Sequence, residues 1–200
     1  YQLCQTYLLY RGATHKRFEH SIGTLHMVQR MIDAVSHTSE KYKSKNSLPY
    51  GASIQSDEER FIRLGALLHD IGHIAFGHTI EDELFLTNKH DSDERLDLLI
   101  KDEKRIWIDL YGKTLQEIID EQFLKYVPAD LRKNGVTASQ IVRLLIRKHP
   151  KDKKDDKFTD TLNLLEKSSS LRLNICRDMI GNTICADILD YIHRDWYHLG

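Results

Sequence analysis

Proline is scarce in this 200-residue chain, with three in all, and neither cysteine nor charge of one sign is abundant. Each shortage excludes something. The prolines, Pro49, Pro128 and Pro150, leave long stretches in which a helix can run uninterrupted. The three cysteines, Cys4, Cys176 and Cys185, are an odd set without CxxC spacing, which argues against a disulfide framework or a thiolate zinc site and fits a reducing cytoplasm. Lys plus Arg number 29 against 30 for Asp plus Glu, so no overall field gathers nucleic acid or an anionic membrane, and any basic patch has to be local. No apolar run approaches the roughly 20 residues needed to cross a bilayer, and no charged-then-apolar leader opens the chain. What is present is 40% hydrophobic content, enough in 200 residues to bury one core, so a single domain over 1–200 is expected. The chain begins at Tyr1 and stops at Gly200 directly after a strong helical pattern, so truncation at both ends of a longer protein is expected as well.

Helix-period apolar spacing recurs while strand-type alternation is rare, which predicts an all-α fold. Leu25, Val28, Ile32 and Val35 mark one helical face, and the polar stretch from His37 to Ser56 reads as a loop. Phe61, Leu64, Gly65 and Leu68 mark a second helix, with Asp57 and Glu58 in the first turn, where negative charge suits the helix dipole. Further helices are expected around Leu96, Leu99 and Ile100, around Leu115, Ile118 and Ile119, and around Ile141, Leu144 and Leu145, the last capped by Thr137 or Ser139 and ended by Pro150. The run KDKKDDK at 151–157 reads as a solvated loop. From Leu171 to Leu199 a helix is predicted in which Asp187, Tyr191 and Asp195 share one face beside an apolar stripe of Ile184, Ile188 and Ile192.

The histidines are placed with more economy than their number, eleven, suggests. In LLHDIGHIAFGH, residues 67–78, His69 and Asp70 follow an apolar helical run directly, where burying them is costly unless they are charge-paired or bound to a metal. Adjacent helical residues point about 100° apart, so both reach one ion only at the helix end, and Gly72 lets the chain turn there. His73 and His78 follow, and Glu81 one helical turn past His78 is spaced to orient that imidazole. A second cluster, THKRFEH at 14–20, offers His15, Arg17, Glu19 and His20. Arg17 presents a planar fork that matches phosphate oxygens, with pairing to Glu19 or Asp70 as its structural alternative. His20, His69, Asp70 and Asp187 together make a nitrogen and oxygen ligand set that suits a divalent ion and leaves positions open for water and substrate. His73 and His78 also have a plainer reading as helix-end histidines, Tyr191 and Asp195 as packing and surface residues, and Cys185 as a small buried hydrophobe; His15, His193 and His198 carry no assigned role.

The segments YRGATHKRFEHSIGTLH, LLHDIGHIAFGH and ADILDYIHRDWYHLG resemble the three signature blocks of the HD-domain phosphohydrolases, in particular the deoxynucleoside triphosphate triphosphohydrolase branch. The resemblance implies an all-α HD helical bundle with a metal site between helices, the ligands being His20, His69, Asp70 and Asp187. It implies one divalent ion, drawn from Mn, Fe, Ni, Co, Zn and Mg, with a second Mg arriving with substrate. Arg17 would contact substrate phosphates, and His73, His78 and His90 would surround the reacting phosphorus, with Glu81 beside them. Gln2, Leu3 and Asp195 would flank the sugar and Tyr191 would stack against it, excluding a 2′-hydroxyl. The implied reaction converts a deoxynucleoside triphosphate to deoxynucleoside and triphosphate, in a homo-oligomer that needs neither nucleic acid nor membrane. Two positions depart from the pattern: Ile188 stands where Lys or Arg usually follows the final ligand, and Arg11 replaces a proline. The first removes a phosphate contact, so a nucleoside monophosphate or another small phosphate ester is the rival substrate. A nucleotide-sensing module without turnover is the rival of another class.

Overall fold

The computed structural model describes residues 2–43, 53–74, 77–101, 106–147, 156–168 and 170–199. Among them there is no strand, as the apolar spacing requires. Ten α-helices follow in order: α1 (Arg17–Lys43), α2 (Ser56–Leu68), α3 (Asp93–Ile100), α4 (Ile106–Tyr111) and α5 (Leu115–Phe123). Then come α6 (Ala129–Lys133), α7 (Ala138–Ile146), α8 (Asp156–Lys167), α9 (Leu173–Ile180) and α10 (Ala186–Leu199). None of the described helices is long and apolar enough to cross a membrane.

The core forms where α2 is wrapped by α1, α7 and α9, with α10 laid along the other side of α1. His20, Thr24, Val28 and Ile32 recur every four residues on α1 and are all buried, so one stripe of that helix turns from a polar end into the apolar core. From α2, Phe61, Ile62 and Ala66 enter the same core and meet Ile141, Val142 and Leu145 of α7. Helix starts follow local chemistry. Thr114 and Thr137 accept from the backbone N–H three residues on and cap α5 and α7, while Ser139 instead bonds Asp120 through both its N–H (2.7 Å) and its hydroxyl (3.0 Å).

Three expected boundaries move. Helix α1 continues through His37 to Lys43, because Glu40, Lys41 and Lys43 are good helix formers that need no apolar periodicity; residues 44–52 lie outside the described part. Of the expected loop at 151–157, residues 151–155 also lie outside it, and 156 and 157 open α8. The helix expected from Leu171 to Leu199 is two helices parted at 181–185, so Asp187 sits in a first turn. The break at Gly181 frees α10 to follow α1 while α9 stays against α2. Ile184 and Ile192 consequently face solvent rather than the core.

A buried ion pair locks the frame. Glu58, fully enclosed, accepts from the backbone N–H of Arg172 (2.8 Å), from its Nε (2.8 Å) and from Nη2 (2.5 Å), and from the backbone N–H of Gln55 (2.9 Å). Burial pushes the Glu58 carboxyl up, but the bonds from Arg172 and Gln55 outweigh it and hold it below the ordinary glutamate value. This stabilisation is therefore complete above that ordinary range and is lost as acid protonates the carboxylate. Glu58→Ala, which strands the guanidinium, is expected to cost about 3 kcal/mol in urea denaturation at neutral pH, and the gap to the parent protein should close on acidification. A variant as stable as the parent at neutral pH would show that the pair is dispensable.

Candidate metal centre

Three helix ends meet at one point. His20 closes the first turn of α1, His69 and Asp70 leave the last turn of α2, and Asp187 lies in the first turn of α10. His20 Nε2 stands 3.3 Å from His69 Nε2 and 3.1 Å from Asp187 Oδ1, and His69 Nε2 is 3.6 Å from the same oxygen. Asp70 borders this trio, 3.4 Å from His69 Nε2 and 3.7 Å from His20 Nε2. Atoms bound about 2.1 Å from a common ion stand about 3.0 Å apart at right angles and about 3.4 Å apart at tetrahedral angles. The spacing matches coordination. Asp70 also belongs to a second trio of potential ligands with His73 and His90.

The outer edges of both rings decide what the inner edges offer. His20 Nδ1 lies 2.8 Å from Asp190 Oδ2, and His69 Nδ1 lies 2.8 Å from the Ala66 carbonyl oxygen. A carboxylate and a carbonyl only accept, so the ring protons sit on Nδ1 and both Nε2 atoms turn lone pairs toward each other and toward the carboxylates. That arrangement repels itself unless a positive charge enters it, and the donor set fits a divalent cation. Where no ion is bound, a proton on the rings supplies that charge. Burial alone would lower His20, yet Asp187, Asp190 and Asp70 hold it up at about 9, and His69 is likewise raised against its burial. Burial would raise Asp187 and Asp70, but the imidazoles hold both below the carboxylate range.

Asp190 is the functional residue that the sequence reading missed. It is buried, and besides His20 it accepts from Arg194 Nε (2.9 Å) and Nη2 (2.8 Å), so a guanidinium fork fixes the carboxylate that fixes the imidazole. The close approach depends on Gly23: a Cβ there would sit 1.8 Å from Asp190 Oδ1. The signal was present as an Asp–Arg pair four apart on α10, three residues past Asp187.

Around the trio lies a second layer. Arg17 Nη1 donates to Asp70 Oδ2 at 3.3 Å, the alternative pairing considered for it, and so stands at the edge of the centre. His73 Nε2 is 3.5 Å from Asp70, and its ring stacks on His90 with centroids 3.6 Å apart. Burial, with His90 and Arg17 adding to it against Asp70, lowers His73 to about 4, so its ring is neutral at neutral pH. The expected partnership of Glu81 with His78 is corrected. Glu81 is buried and faces His73 Nδ1 (3.2 Å) and His90 Nδ1 (2.9 Å), while His78, well exposed, bonds Asp82 at 2.7 Å. Residues 79–83 form a π turn, whose extra residue per turn sets Asp82 over His78 and turns Glu81 inward. Gly72 matters here through proximity, since a Cβ would lie 1.9 Å from the His90 carbonyl oxygen.

The HD-domain family model matches residues 17–195, which include all four candidate ligands. The chain belongs to the HD-domain family. This HD domain is 24% identical over 202 residues to the deoxynucleoside triphosphate triphosphohydrolase SAMHD1 homolog of Dictyostelium discoideum, covering 100% of the chain and 30% of that relative. It is 25% identical over 195 residues to the uncharacterized protein MJ1154 of Methanocaldococcus jannaschii, covering 98% of the chain and 26% of the relative. With the uncharacterized protein YwfO of Bacillus subtilis it shares 39% over 89 residues, 44% of the chain and 18% of the relative. The chain thus spans less than a third of these relatives' length. HD domains form a superfamily of metal-dependent hydrolases, which agrees with the ligand cluster found here.

Two of the residues expected beside a sugar, Gln2 and Asp195, are linked through His15 toward the far end of α10. Gln2 donates its backbone N–H to the His15 carbonyl (2.8 Å), and His15 Nε2 lies 2.9 Å from Asp195 Oδ1 with its ring stacked on His198. The Gln2 side-chain oxygen is buried without a hydrogen-bond partner among the described residues. Leu3 is half-buried close by in the chain, and Tyr191 is partly exposed between Asp187 and Asp195 on their shared face. His15, given no role from sequence, is what joins Gln2 to Asp195.

Elemental analysis tests the centre. His69→Ala and Asp187→Ala are expected to purify without metal, whereas Arg17→Ala retains it. Asp190→Asn should weaken metal affinity about 10- to 100-fold. Equal metal content in all four variants would refute the assignment.

Proposed function

We propose that this HD domain is a metal-dependent phosphohydrolase of nucleotides that converts deoxynucleoside triphosphates to deoxynucleoside and triphosphate. The observation that carries the reading is the convergence of His20, His69 and Asp187, bordered by Asp70, with the Arg17 guanidinium bonded to one of the ligands. The similarity along the whole chain to a relative named as a deoxynucleoside triphosphate triphosphohydrolase supports the substrate class. A divalent ion held by these four residues supplies Lewis acidity at the reacting phosphoryl group and makes water easier to deprotonate.

The protein's own groups do the rest. Arg17 offers N–H groups to phosphate oxygens whose charge grows during displacement, at the edge of a low-dielectric site where such donors act strongly. His73, neutral and held against Glu81, stands ready to accept or donate a proton near the same oxygens, and His90 stacks behind it. His78, whose Nδ1 is bonded to Asp82, protonates the leaving oxygen through Nε2 when the ring carries its second proton there, and is left as the neutral Nδ1–H imidazole. Gln2, Leu3, Tyr191 and Asp195 receive the sugar, and the exclusion of a 2′-hydroxyl falls to Tyr191. Homo-oligomeric assembly and a cytoplasmic setting belong to the same proposal; the exposed Trp196 and Tyr197 support the first and the three free cysteines the second.

One observation favours a second substrate. Ile188, directly after Asp187, lines the cavity beside the centre without offering a charge to a phosphate chain, which suits a monoester. A panel of nucleoside mono-, di- and triphosphates assayed with Mn²⁺, with released phosphate separated from released triphosphate, distinguishes the two. Triphosphate from deoxynucleotides is the expected product. Orthophosphate from monophosphates would replace the proposal, and tight nucleotide binding with no product under any divalent metal would make the domain a sensor.

A further inference from the structure

A cavity of about 490 Å³ adjoins the metal centre, with His69, Asp70 and Asp187 in one part of its wall and Asn174, Arg177 and Asn182 in another. That volume falls in the roughly 300–1,000 Å³ range of small-molecule sites. Arg17, His73 and His78 do not line it, whereas Asp70 and His90, which touch Arg17 and His73, do.

The charges in this wall are unevenly matched. Arg147, also lining the cavity, pairs with Asp93. Arg177 is half-buried, and among the described residues it has one hydrogen-bond partner, the Arg147 carbonyl, to which Nη2 donates at 2.8 Å, with no carboxylate within ion-pair distance. Four of the five N–H donors of its planar fork are thus left for something else. Burial and then the neighbouring Arg147 bear against its charge and Asp178 and Glu166 only partly offset them, leaving a cost that an anion in the cavity relieves. Two carboxylates besides the ligands also face the space: Asp91, and Asp178, which Asn182 Nδ2 engages at 2.7 Å. Asn174 and Arg177 lie three apart on α9 and so share a face, one amide and one guanidinium turned to the same volume.

We propose that Arg177 and Asn174 bind a phosphate group remote from the one held at the metal, so that this cavity selects polyphosphate esters over monoesters. The inference rests on the phosphohydrolase reading for the metal-held group alone. A guanidinium presents two parallel N–H groups to a phosphate, and the helical neighbour adds an amide donor that adjusts to the chain's path. The competing role for Arg177 is structural, as a tie from α9 to the end of α7 through the Arg147 carbonyl.

Isothermal titration of the Mn²⁺-loaded protein with inorganic triphosphate and with orthophosphate separates these roles, metal content being checked by elemental analysis after each titration. Arg177→Gln is expected to weaken triphosphate about 10- to 100-fold, the worth of a charge-assisted contact, with orthophosphate affinity unchanged and Arg177→Lys falling between. Should Arg177→Gln fail to fold, Asn174→Asp, at an exposed position, places a negative charge on the same face and is expected to weaken triphosphate selectively. Equal losses for both anions, no loss for triphosphate, or a parent protein that binds triphosphate no better than orthophosphate would each overturn the subsite. Arg177-dependent triphosphate binding without nucleotide hydrolysis would leave the subsite standing and remove the hydrolase reading; hydrolysis with unmoved affinities would do the reverse.

Discussion

Two imidazole nitrogens 3.3 Å apart, each turning a lone pair toward the other and toward carboxylate oxygen, form an arrangement that only a positive charge makes stable. The rest of the structure is organised to hold it. The first turn of α1, the last residues of α2 and the first turn of α10 are brought to one point, and each arrives with its own constraint. Ala66 orients His69 through a carbonyl, Asp190 orients His20 through a carboxylate, and Arg194 keeps Asp190 in place. Gly23 allows α10 to come near enough for the Asp190 contact. A folding frame that carries so much mutual repulsion at one end needs rigidity elsewhere, and the enclosed Glu58–Arg172 pair supplies it by binding the start of α2 to the start of α9.

Around this charge the protein divides its polar groups by side. Arg17, His73, His90 and Glu81 form one connected layer that shares Asp70 with the candidate metal ligands. Buried Glu81 carries two imidazoles, so a change in either ring's protonation is felt through one carboxylate. On another side, the cavity bounded by α9 meets the same ligands with amides and a guanidinium. The candidate centre thus has cationic and hydrogen-bonding groups along more than one direction.

Much of the helical plan was legible in sequence because apolar periodicity reports burial directly. Val28, Ile32, Phe61, Ile141 and Leu145 were all readable as core and all are buried. The errors fall where periodicity carries no information. The end of α1 is polar all round yet helical, and the break between α9 and α10 interrupts an amphipathic pattern that reads as continuous. Glu81 was matched to the wrong histidine because a three-residue offset presumes α geometry, and the chain there takes a π turn. Asp190 was passed over because a salt-bridged aspartate on a polar helix face looks in sequence like any solvated charge.

What the sequence by itself determined was chemistry: which side chains carry lone pairs, which carry charge, and that His69 and Asp70 stand where a helix ends. Residue types and local spacing are enough for that, since ligand chemistry belongs to the side chain and helical phase to the nearest few residues. Only the tertiary structure decided which of those groups meet. His20 and Asp190 are 170 positions apart, and their contact exists because α1 and α10 pack closely over a missing Cβ at Gly23. Packing between distant helices fixes distances of a few ångströms, and those distances, invisible to any local pattern, make a scatter of histidines and aspartates into one site.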